Sequence, residues 1–439
     1  MRKIALFFFG LSLFRITALD AQAEKYIFPN GLRLLHKSTG ANQIVAIEVF
    51  IDVGSIDEYI EDKNKLGIRN FVQSVITKGT KKYSAAQINE LIESIGGKLF
   101  TDTAEDYMEI CAIVTKPYFE VGINLIYEIY CNPTFPYKEV EKGREDIMAS
   151  IFARNEDIFT TTYDVLNKLL YSDHPYAFPV VGTTETVKNI TVCDLKKFHK
   201  KYFTPQNTII SVVGDIDFNV AKYYVEKSFG KIPAKTKKAY KALVSSEPLH
   251  ADYVESREVE RECKGKFKQA YIMIGYVAPE ASSPDYSKVK MLNAMLGGGM
   301  SSRLFTEIRE KNAYAYEVSS FYPTRKHKSR FVIYMGLDRK FIQEAKDNIL
   351  REVEKMKISI PDEEEIRRIK NYVRGTYIMA HVTNRQQAWY LGWWELVGRG
   401  YEYDTKYIDD ILSISREELK AAAEKLFSKP VIVKMLPEE

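Results

Sequence analysis

Hydrophobic and polar positions between residues 66 and 80 follow the 3.6-residue period of an amphipathic helix. Its apolar members are Leu66, Ile68, Phe71, Val72, Val75 and Ile76. A Lys-Gly-Thr run then ends the pattern, as glycine commonly does after a helix. Asn70, Gln73 and Ser74 lie between the apolar residues at spacing i, i+3 and i+4, which puts three polar side chains on one face. We therefore predict a buried helix with one polar face.

The remaining patterns alternate between strand and helix, and a similar order occurs twice. In the first half we predict strands at residues 26–28, 32–36, 44–53, 98–102, 107–114 and 208–213, and helices at 85–95, 116–130, 138–155, 161–171 and 192–202. In the second half we predict strands at residues 269–277, 314–322, 330–336 and 431–435, and helices at 286–296, 302–311, 340–357, 363–381, 385–397 and 416–427.

A polar stretch at residues 231–262, with little helical or strand periodicity, separates the two halves and is predicted to be a linker. The repeated element order indicates a duplicated unit. We predict an α+β fold of two tandem homologous α/β-sandwich domains, residues 24–230 and 263–439. Each domain would have a mostly antiparallel mixed sheet with helices packed on it.

The N-terminal residues differ from the rest of the chain. Arg2 and Lys3 precede an apolar run at residues 4–14, and Ala21-Gln22-Ala23 offers a cleavage site. We predict a signal peptide at residues 1–23, cleaved near Ala23, and a periplasmic or secreted protein. An uncleaved N-terminal anchor is the alternative. No later run of about 18 apolar residues occurs, so we expect no stable membrane insertion of the mature chain.

Composition narrows the function classes. The chain has 439 residues, is 45% hydrophobic and 28% charged, and carries a formal net charge of +4. These values are typical of a globular protein, and no basic tract interleaved with aromatics indicates a nucleic-acid partner. The cysteines lie far apart without a C-x-x-C pair, which leaves one disulfide or buried free thiols, and we expect the thiols. They are Cys111, Cys131, Cys193 and Cys263.

The polar face of the predicted helix has the spacing of a metal motif without its chemistry. In a helical H-x-x-E-H motif, two imidazoles bind Zn²⁺ and the glutamate activates a metal-bound water. Here Asn70, Gln73 and Ser74 occupy those three positions. Side-chain amides are poor zinc ligands and cannot act as a base near pH 7. Taken alone, the residues indicate an ordinary core helix.

The motifs nevertheless resemble one family. LGIRNFVQSVITKGT is similar to the metal-binding helix of the pitrilysin/insulinase-type inverzincin metallopeptidases, roughly G-I-A-H-F-x-E-H-x-x-F-K-G-T. The matching residues are Gly67, Ile68, Phe71, Lys78, Gly79 and Thr80, and further matches lie at residues 30–33, 95–97, 174–176, 182–183, 202–217 and 296–310. The resemblance covers nearly the whole mature chain. It is strongest to the bacterial processing-peptidase-like branch, in which two α+β domains form a half-shell and two half-shells enclose a peptide.

The resemblance implies a lost metal site. The family's two histidines fall on Asn70 and Ser74, its catalytic glutamate on Gln73, and its third ligand, a glutamate, on Ser150. A family asparagine on the neighbouring strand falls on Phe100. We therefore expect no metal and no cofactor on this chain, with zinc held by a partner subunit.

The second half keeps other family residues. The family carries an arginine and, seven residues later, a tyrosine that bind the substrate backbone and stabilise the tetrahedral intermediate. The resemblance assigns these roles to Arg309 and Tyr316, with Tyr314 as a rival for the tyrosine. Guanidinium and phenol groups donate to an oxygen that gains negative charge. The Gly-Gly-Gly run at residues 297–299 follows a helix and lacks G-K-[ST], so we expect a hinge or a close backbone approach rather than a phosphate loop.

These expectations favour a non-catalytic, substrate-binding subunit of a heterodimeric zinc metallopeptidase. Its partner would be a homologous chain with an intact H-x-x-E-H motif, and its substrates would be peptides that add as a strand at residues 98–102. One alternative is a structural or peptide-binding homodimer without protease activity. Another is a zinc peptidase that uses other ligands.

Overall fold

The computed structural model describes residues 22–40, 42–235, 258–310, 315–359 and 361–438. The strands of the first half are β1 (Glu24–Ile27), β2 (Arg33–Ser38), β3 (Ile44–Ile51), β4 (Lys98–Thr103), β5 (Met108–Thr115) and β6 (Thr208–Gly214). Its α-helices are α1 (Ser55–Glu61), α2 (Ile68–Val75), α3 (Ala85–Ser94), α4 (Phe119–Cys131), α5 (Tyr137–Glu156), α6 (Ile158–Tyr171), α7 (Thr184–Lys188), α8 (Val192–Tyr202) and α9 (Phe218–Ser228).

The second half repeats this mixture of elements. Its strands are β7 (Val259–Gly265), β8 (Ala270–Ala278), β9 (Ala315–Phe321), β10 (Ser329–Leu337) and β11 (Val431–Pro437). Its α-helices are α10 (Tyr286–Gly297), α11 (Ile342–Ile358), α12 (Glu363–Met379), α13 (Asn384–Leu396), α14 (Tyr403–Ser413) and α15 (Arg416–Leu426). Within the described ranges, every helix is too short or too polar to cross a membrane.

Each half contains one mixed sheet with an exposed edge strand. The first sheet has the order β1-β2-β6-β3-β5-β4, and the second has the order β7-β11-β8-β10-β9. Only the β2–β6 and β7–β11 pairs are parallel. In both sheets the last strand of the order, β4 or β9, follows helical segments and pairs antiparallel with the next strand along the chain. The predicted α+β fold of two similar halves is confirmed.

The domain boundaries are only partly covered by the described residues. Strand β7 begins at Val259, within the stretch at residues 231–262 that the sequence indicated as a linker. Residues 236–257 of that stretch lie outside the described residues, as do residues 1–21 of the predicted signal peptide. Strand β1 begins at Glu24, directly after the predicted cleavage site.

The two halves exchange helices. Helix α6 of the first half packs on β8 and β11, and helix α13 of the second half packs on β3 and β6. A glycine permits close contact on each side: Gly275 of β8 faces Leu166 and Leu170 of α6, and Gly392 of α13 faces the Phe50 ring of β3. Because each half covers a face of the other half's sheet, one continuous core includes residues from both.

Some local predictions were wrong. Residues 302–311 were predicted as an ordinary helix, whereas the described part contains a π-helical segment at Phe305–Glu310. Helices α1, α7, α9 and α14 and strand β7 were not predicted. The cysteines are free thiols as expected, but they are not uniformly buried, because Cys111 is buried and Cys193 is exposed.

Candidate functional site

Helix α2 carries the three polar residues predicted for one face, but they differ in their surroundings. Gln73 is buried, and its amide donates a hydrogen bond to the backbone carbonyl of Glu109 on β5. Asn70 is half-buried. Ser74 is exposed, and its hydroxyl donates to the Phe71 carbonyl at 2.9 Å. Gln73 therefore links α2 to the sheet by donating a hydrogen bond. An ionised carboxylate, the form that a general base needs, could not donate this bond.

A buried ion pair fixes the N-terminus of α2. Glu58 Oε1 accepts the backbone N–H groups of Gly67 and Arg69 at 2.8 and 3.1 Å, and Arg69 Nε lies 3.6 Å from Glu58 Oε2. The guanidinium also donates to the Ala104 carbonyl at 2.6 Å and the Ser55 hydroxyl at 2.8 Å. Burial raises the pKa of Glu58 above its ordinary value, and Arg69 opposes that rise.

Two glycines allow α2 to pack closely against its neighbours. Gly67 has a φ of +96°, and a Cβ there would lie 2.6 Å from the Val181 carbonyl oxygen. Gly143 of α5 lies against α2, since its Cβ would lie 2.6 Å from Val75 Cγ1 and 3.8 Å from Ser74 Oγ. The motif glycine at position 67 is therefore required by backbone conformation and by packing.

The donor set at this helix does not fit a zinc ion. Ser150 lies on α5 and is exposed, and together with Asn70 and Ser74 it offers neutral amide and hydroxyl groups instead of imidazole and carboxylate. In the part of the chain that the structure describes, no group of three or more His, Cys, Asp and Glu side chains could hold a metal ion.

Arg309 and Tyr316 lie on two irregular elements that pack against each other. Arg309 is exposed in the π-helical segment, with its guanidinium 5.0 Å from the centre of the Phe305 ring. Tyr316 is 67% exposed on edge strand β9. On that strand Glu317 pairs with Gly336 and Ala315 with Leu337, so Tyr316 is the extra residue of a β-bulge.

π-helical turns and β-bulges both occur frequently next to functional sites, where they redirect side chains. The rival residue Tyr314 lies outside the described residues. The glycine run before this region is a close approach rather than a loose turn, because a Cβ on Gly297 would collide with the backbone nitrogen of Ser320 on β9.

Sequence reasoning missed a charged cluster between the first sheet and α13. Glu48 of β3 is fully buried, and Arg385 of α13 lies 3.3 Å from Glu109 Oε1. Trp389 Nε1 donates to Glu109 Oε2 at 3.0 Å. Burial, with the added charge of Asp102, raises the pKa of Glu109 to about 7. Burial likewise holds the pKa of Glu48 well above its ordinary value.

The signal that could have revealed this cluster is the single acidic residue in the apolar run IVAIEVFI of β3. Its partner Arg385 also covers Phe100 of edge strand β4, with the guanidinium 4.5 Å from the ring centre. The family's asparagine position is thus filled by an aromatic ring under a cation from the other half of the chain.

Comparison with known proteins agrees with the fold and the motif. Insulinase (Peptidase family M16) matches residues 33–184, and Peptidase M16 inactive domain matches residues 189–373. The uncharacterized zinc protease YmxG of Bacillus subtilis (strain 168) is 26% identical over 406 residues, 92% of this chain and 96% of that protein. The uncharacterized zinc protease ML0855 of Mycobacterium leprae is 27% identical over 410 residues, 91% of this chain and 88% of that protein.

Two solved structures share the fold. A protease from Helicobacter pylori aligns with a TM-score of 0.86 at 21% identity, over 95% of this chain and 100% of that chain. A peptidase M16 inactive domain from Pseudomonas fluorescens aligns with a TM-score of 0.84 at 21% identity, over 95% of this chain and 98% of that chain.

The fold and the altered motif define a metallopeptidase-like protein, and the chain belongs to peptidase family M16, the insulinase family. The resemblance inferred from its motifs is therefore confirmed. The match of the second half to the family's inactive domain, together with the replaced ligands of α2, fits a non-catalytic member of the family.

Proposed function

We propose that the chain is the non-catalytic, substrate-binding subunit of a heterodimeric zinc metallopeptidase. The observation that carries this proposal is the state of α2. Its buried frame is intact around the Glu58–Arg69 pair, while the ligand positions hold Asn70, Ser74 and Ser150. A homologous partner with an intact H-x-x-E-H motif would bind the zinc and supply the hydrolytic water.

The chemistry of this chain would come from its second half. The Arg309 guanidinium and the Tyr316 phenol are exposed on elements that pack together, so both can reach a peptide held by the partner subunit. Both groups donate hydrogen bonds to an oxygen that gains negative charge when the carbonyl is attacked. Their role is to bind the scissile peptide and stabilise that charge.

The edge strand β4 offers a place for the peptide backbone. Within the described sheet it pairs only with β5, so its outer edge has backbone groups available to an added strand. Phe100, half covered by Arg385, would contact a side chain of the bound peptide. Unfolded peptides are therefore the proposed substrate class.

The test is peptide cleavage by the chain copurified with a homologous chain that has the intact motif. Arg309→Ala should lower kcat/KM by about 10²-fold, the range measured for loss of one oxyanion donor, and Tyr316→Phe by a smaller factor. Matched controls are the exposed residues Arg351→Ala and Tyr223→Phe, which should leave cleavage unchanged. Unchanged cleavage in both test variants would refute the role assigned to Arg309 and Tyr316.

The periplasmic or secreted location is part of the same proposal. It follows from the charged start, the apolar run and the A-x-A site at residues 1–23. Sequencing the N-terminus of the protein made in its own host should give Glu24 as the first residue. A protein that begins at Met1 or Arg2 would instead favour the N-terminal anchor.

A further inference from the structure

The second half contains an open cavity of about 340 Å³ lined by α10, α12, α13 and α14. Its walls are largely aromatic and include Tyr372, Tyr390 and Tyr407. All three tryptophans of the chain also line it, namely Trp389, Trp393 and Trp394. The cavity holds one basic side chain, Lys290, and among the described lining residues none carries a carboxylate.

This cavity occupies the place in the second half that the former metal site occupies in the first. In each half a hydroxyl on the edge strand meets a backbone carbonyl of the second helical element before that strand, α2 before β4 and α10 before β9. Thr101 of β4 lies 3.4 Å from the Gln73 carbonyl, and Ser320 of β9 lies 3.4 Å from the Asn293 carbonyl. When Gln73 is aligned with Asn293, the polar positions Asn70, Gln73 and Ser74 of α2 correspond to Lys290, Asn293 and Ala294 of α10.

All three of those α10 residues line the cavity. Helix α12 lines the other side of the cavity. It is the second α-helix after β10, as α5 is the second α-helix after β5 in the first half. The duplicated fold therefore has two equivalent clefts. One lacks the family's metal ligands, and the other is lined by aromatic side chains around a lysine.

Lys290 lacks an anionic partner. Its ammonium donates to the Tyr322 carbonyl at 2.8 Å and lies 5.3 and 5.0 Å from the ring centres of Tyr286 and Tyr322. Within the described residues it forms no salt bridge, and Arg325 repels it. A half-buried cation without a counter-charge is unfavourable, so an anion entering the cavity would stabilise it.

We infer that this cavity is a binding site for an apolar carboxylate, whose anionic group pairs with Lys290 while its hydrocarbon or aromatic part packs between the aromatic walls. Two sources share this chemistry, a free apolar acid and the C-terminal residue of a peptide that ends in an apolar side chain. The inference depends on the cavity alone and not on a zinc-binding partner. It goes beyond the proposed function because it assigns a ligand to this chain by itself.

Binding should depend on pH through Lys290. Burial and the charge of Arg325 lower the pKa of Lys290 to about 7. The phenols around it stay neutral near pH 7, because burial raises the pKa of each. They are Tyr286 of α10, Tyr322 just after β9, Tyr377 of α12, Tyr390 of α13 and Tyr407 of α14. Behind them His381 and Asp404 bond to each other at 2.8 Å.

The experiment is a titration followed by tryptophan fluorescence, since all three tryptophans report on the cavity. The full mature chain is titrated with 3-phenylpropanoate, with its neutral amide, and with a short peptide ending in phenylalanine as the free acid or the amide. We expect both acids to bind at least tenfold more tightly than their amides. A peptide acid that binds more tightly than the small acid identifies a peptide C-terminus as the source, and the reverse identifies a free acid.

Lys290→Met should abolish the preference for acid over amide and leave the weak binding of the amide unchanged. The matched control is Lys288→Met on the same helix, where the lysine pairs with Asp285 at 3.2 Å outside the cavity. In the unmodified chain, affinity for the acid should fall about tenfold between pH 6 and pH 8 as Lys290 loses its proton. Equal affinity of acid and amide in the unmodified chain would overturn the inference, even if Lys290→Met failed to fold.

Discussion

Arg69 shows how a single residue maintains the shape of helix α2. Its side chain is fully buried and pairs with Glu58, which itself accepts the first backbone N–H groups of α2. The family form has a small residue at this position, so the arginine is a local replacement that adds packing and charge. The Glu58–Arg69 pair holds the helix without any contribution from a metal.

Arg69→Met should lower the free energy of unfolding by about 3–5 kcal/mol, because the substitution leaves Glu58 buried without its counter-charge. Urea denaturation measures the change. The exposed Arg374→Met is the control and should change stability by less than about 0.5 kcal/mol. Adding Glu58→Gln to Arg69→Met should recover part of the loss, and no recovery would show that the ion pair is not the cause.

The raised pKa of Glu109 predicts that the stability of the fold depends on pH. A carboxyl group with a pKa of about 7 in the folded chain and 4.5 in the unfolded chain binds more protons when folded. The stability that it contributes is therefore complete below pH 4.5 and is lost as the pH rises through 7. Glu109→Gln cannot titrate and keeps the neutral form.

The free energy of unfolding of Glu109→Gln, taken relative to that of the unmodified chain, should rise by on the order of 3 kcal/mol between pH 4 and pH 8. Thermal or urea unfolding at several pH values measures this difference, with the exposed Glu90→Gln as a control that should show none. A difference that stays constant with pH would contradict the assigned pKa of Glu109.

At the scale of elements, α2 has the frame of the family's metal-binding helix but lacks both its ligands and its catalytic glutamate. Asn70→His, Ser74→His and Ser150→Glu together should restore about one zinc per chain, measured by metal analysis after dialysis. The pair Asn70→His and Ser74→His without the Ser150 change should bind zinc more weakly. A folded triple variant without zinc would show that α5 and α2 are no longer placed for a metal.

Most elements could be predicted from sequence, because apolar period and glycine stops are local signals. The β4–β5 pair follows directly from such signals, whereas α2 ends at Val75, before the stop predicted at residues 78–80. The π-helical segment at Phe305–Glu310 could not be predicted, since its composition also suits an α-helix. The bulge at Tyr316 depends on the register with β10, which no local pattern specifies.

At the scale of the molecule, the exchanged helices α6 and α13 join the two halves. The spacing of apolar residues shows that each helix has an apolar face, but it does not show which sheet that face covers. The charged cluster around Glu109 and the cavity around Lys290 are built from residues far apart in sequence, so neither could be predicted. The motif resemblance of α2 could be predicted because its residues lie within one short segment, and it is confirmed by the family match.

Gly392→Val tests the exchange. Because a Cβ at Gly392 would overlap the Phe50 ring, the substitution should push α13 away from the first sheet and lower stability by about 1–3 kcal/mol. Gly375→Val, on the exposed face of α12 with no atom near its Cβ, is the matched control and should not destabilise the chain. Equal effects at both glycines would indicate that the contact of α13 with β3 is dispensable.

The central claim is that this chain completes a peptidase without binding its metal. Zinc content and peptide cleavage should be measured together for this chain, for a homologous chain with an intact H-x-x-E-H motif, and for the copurified pair. The account predicts no zinc and no cleavage for this chain alone, and one zinc per pair with cleavage far above that of the partner alone. Stoichiometric zinc in this chain, or a partner that is equally active without it, would contradict the account.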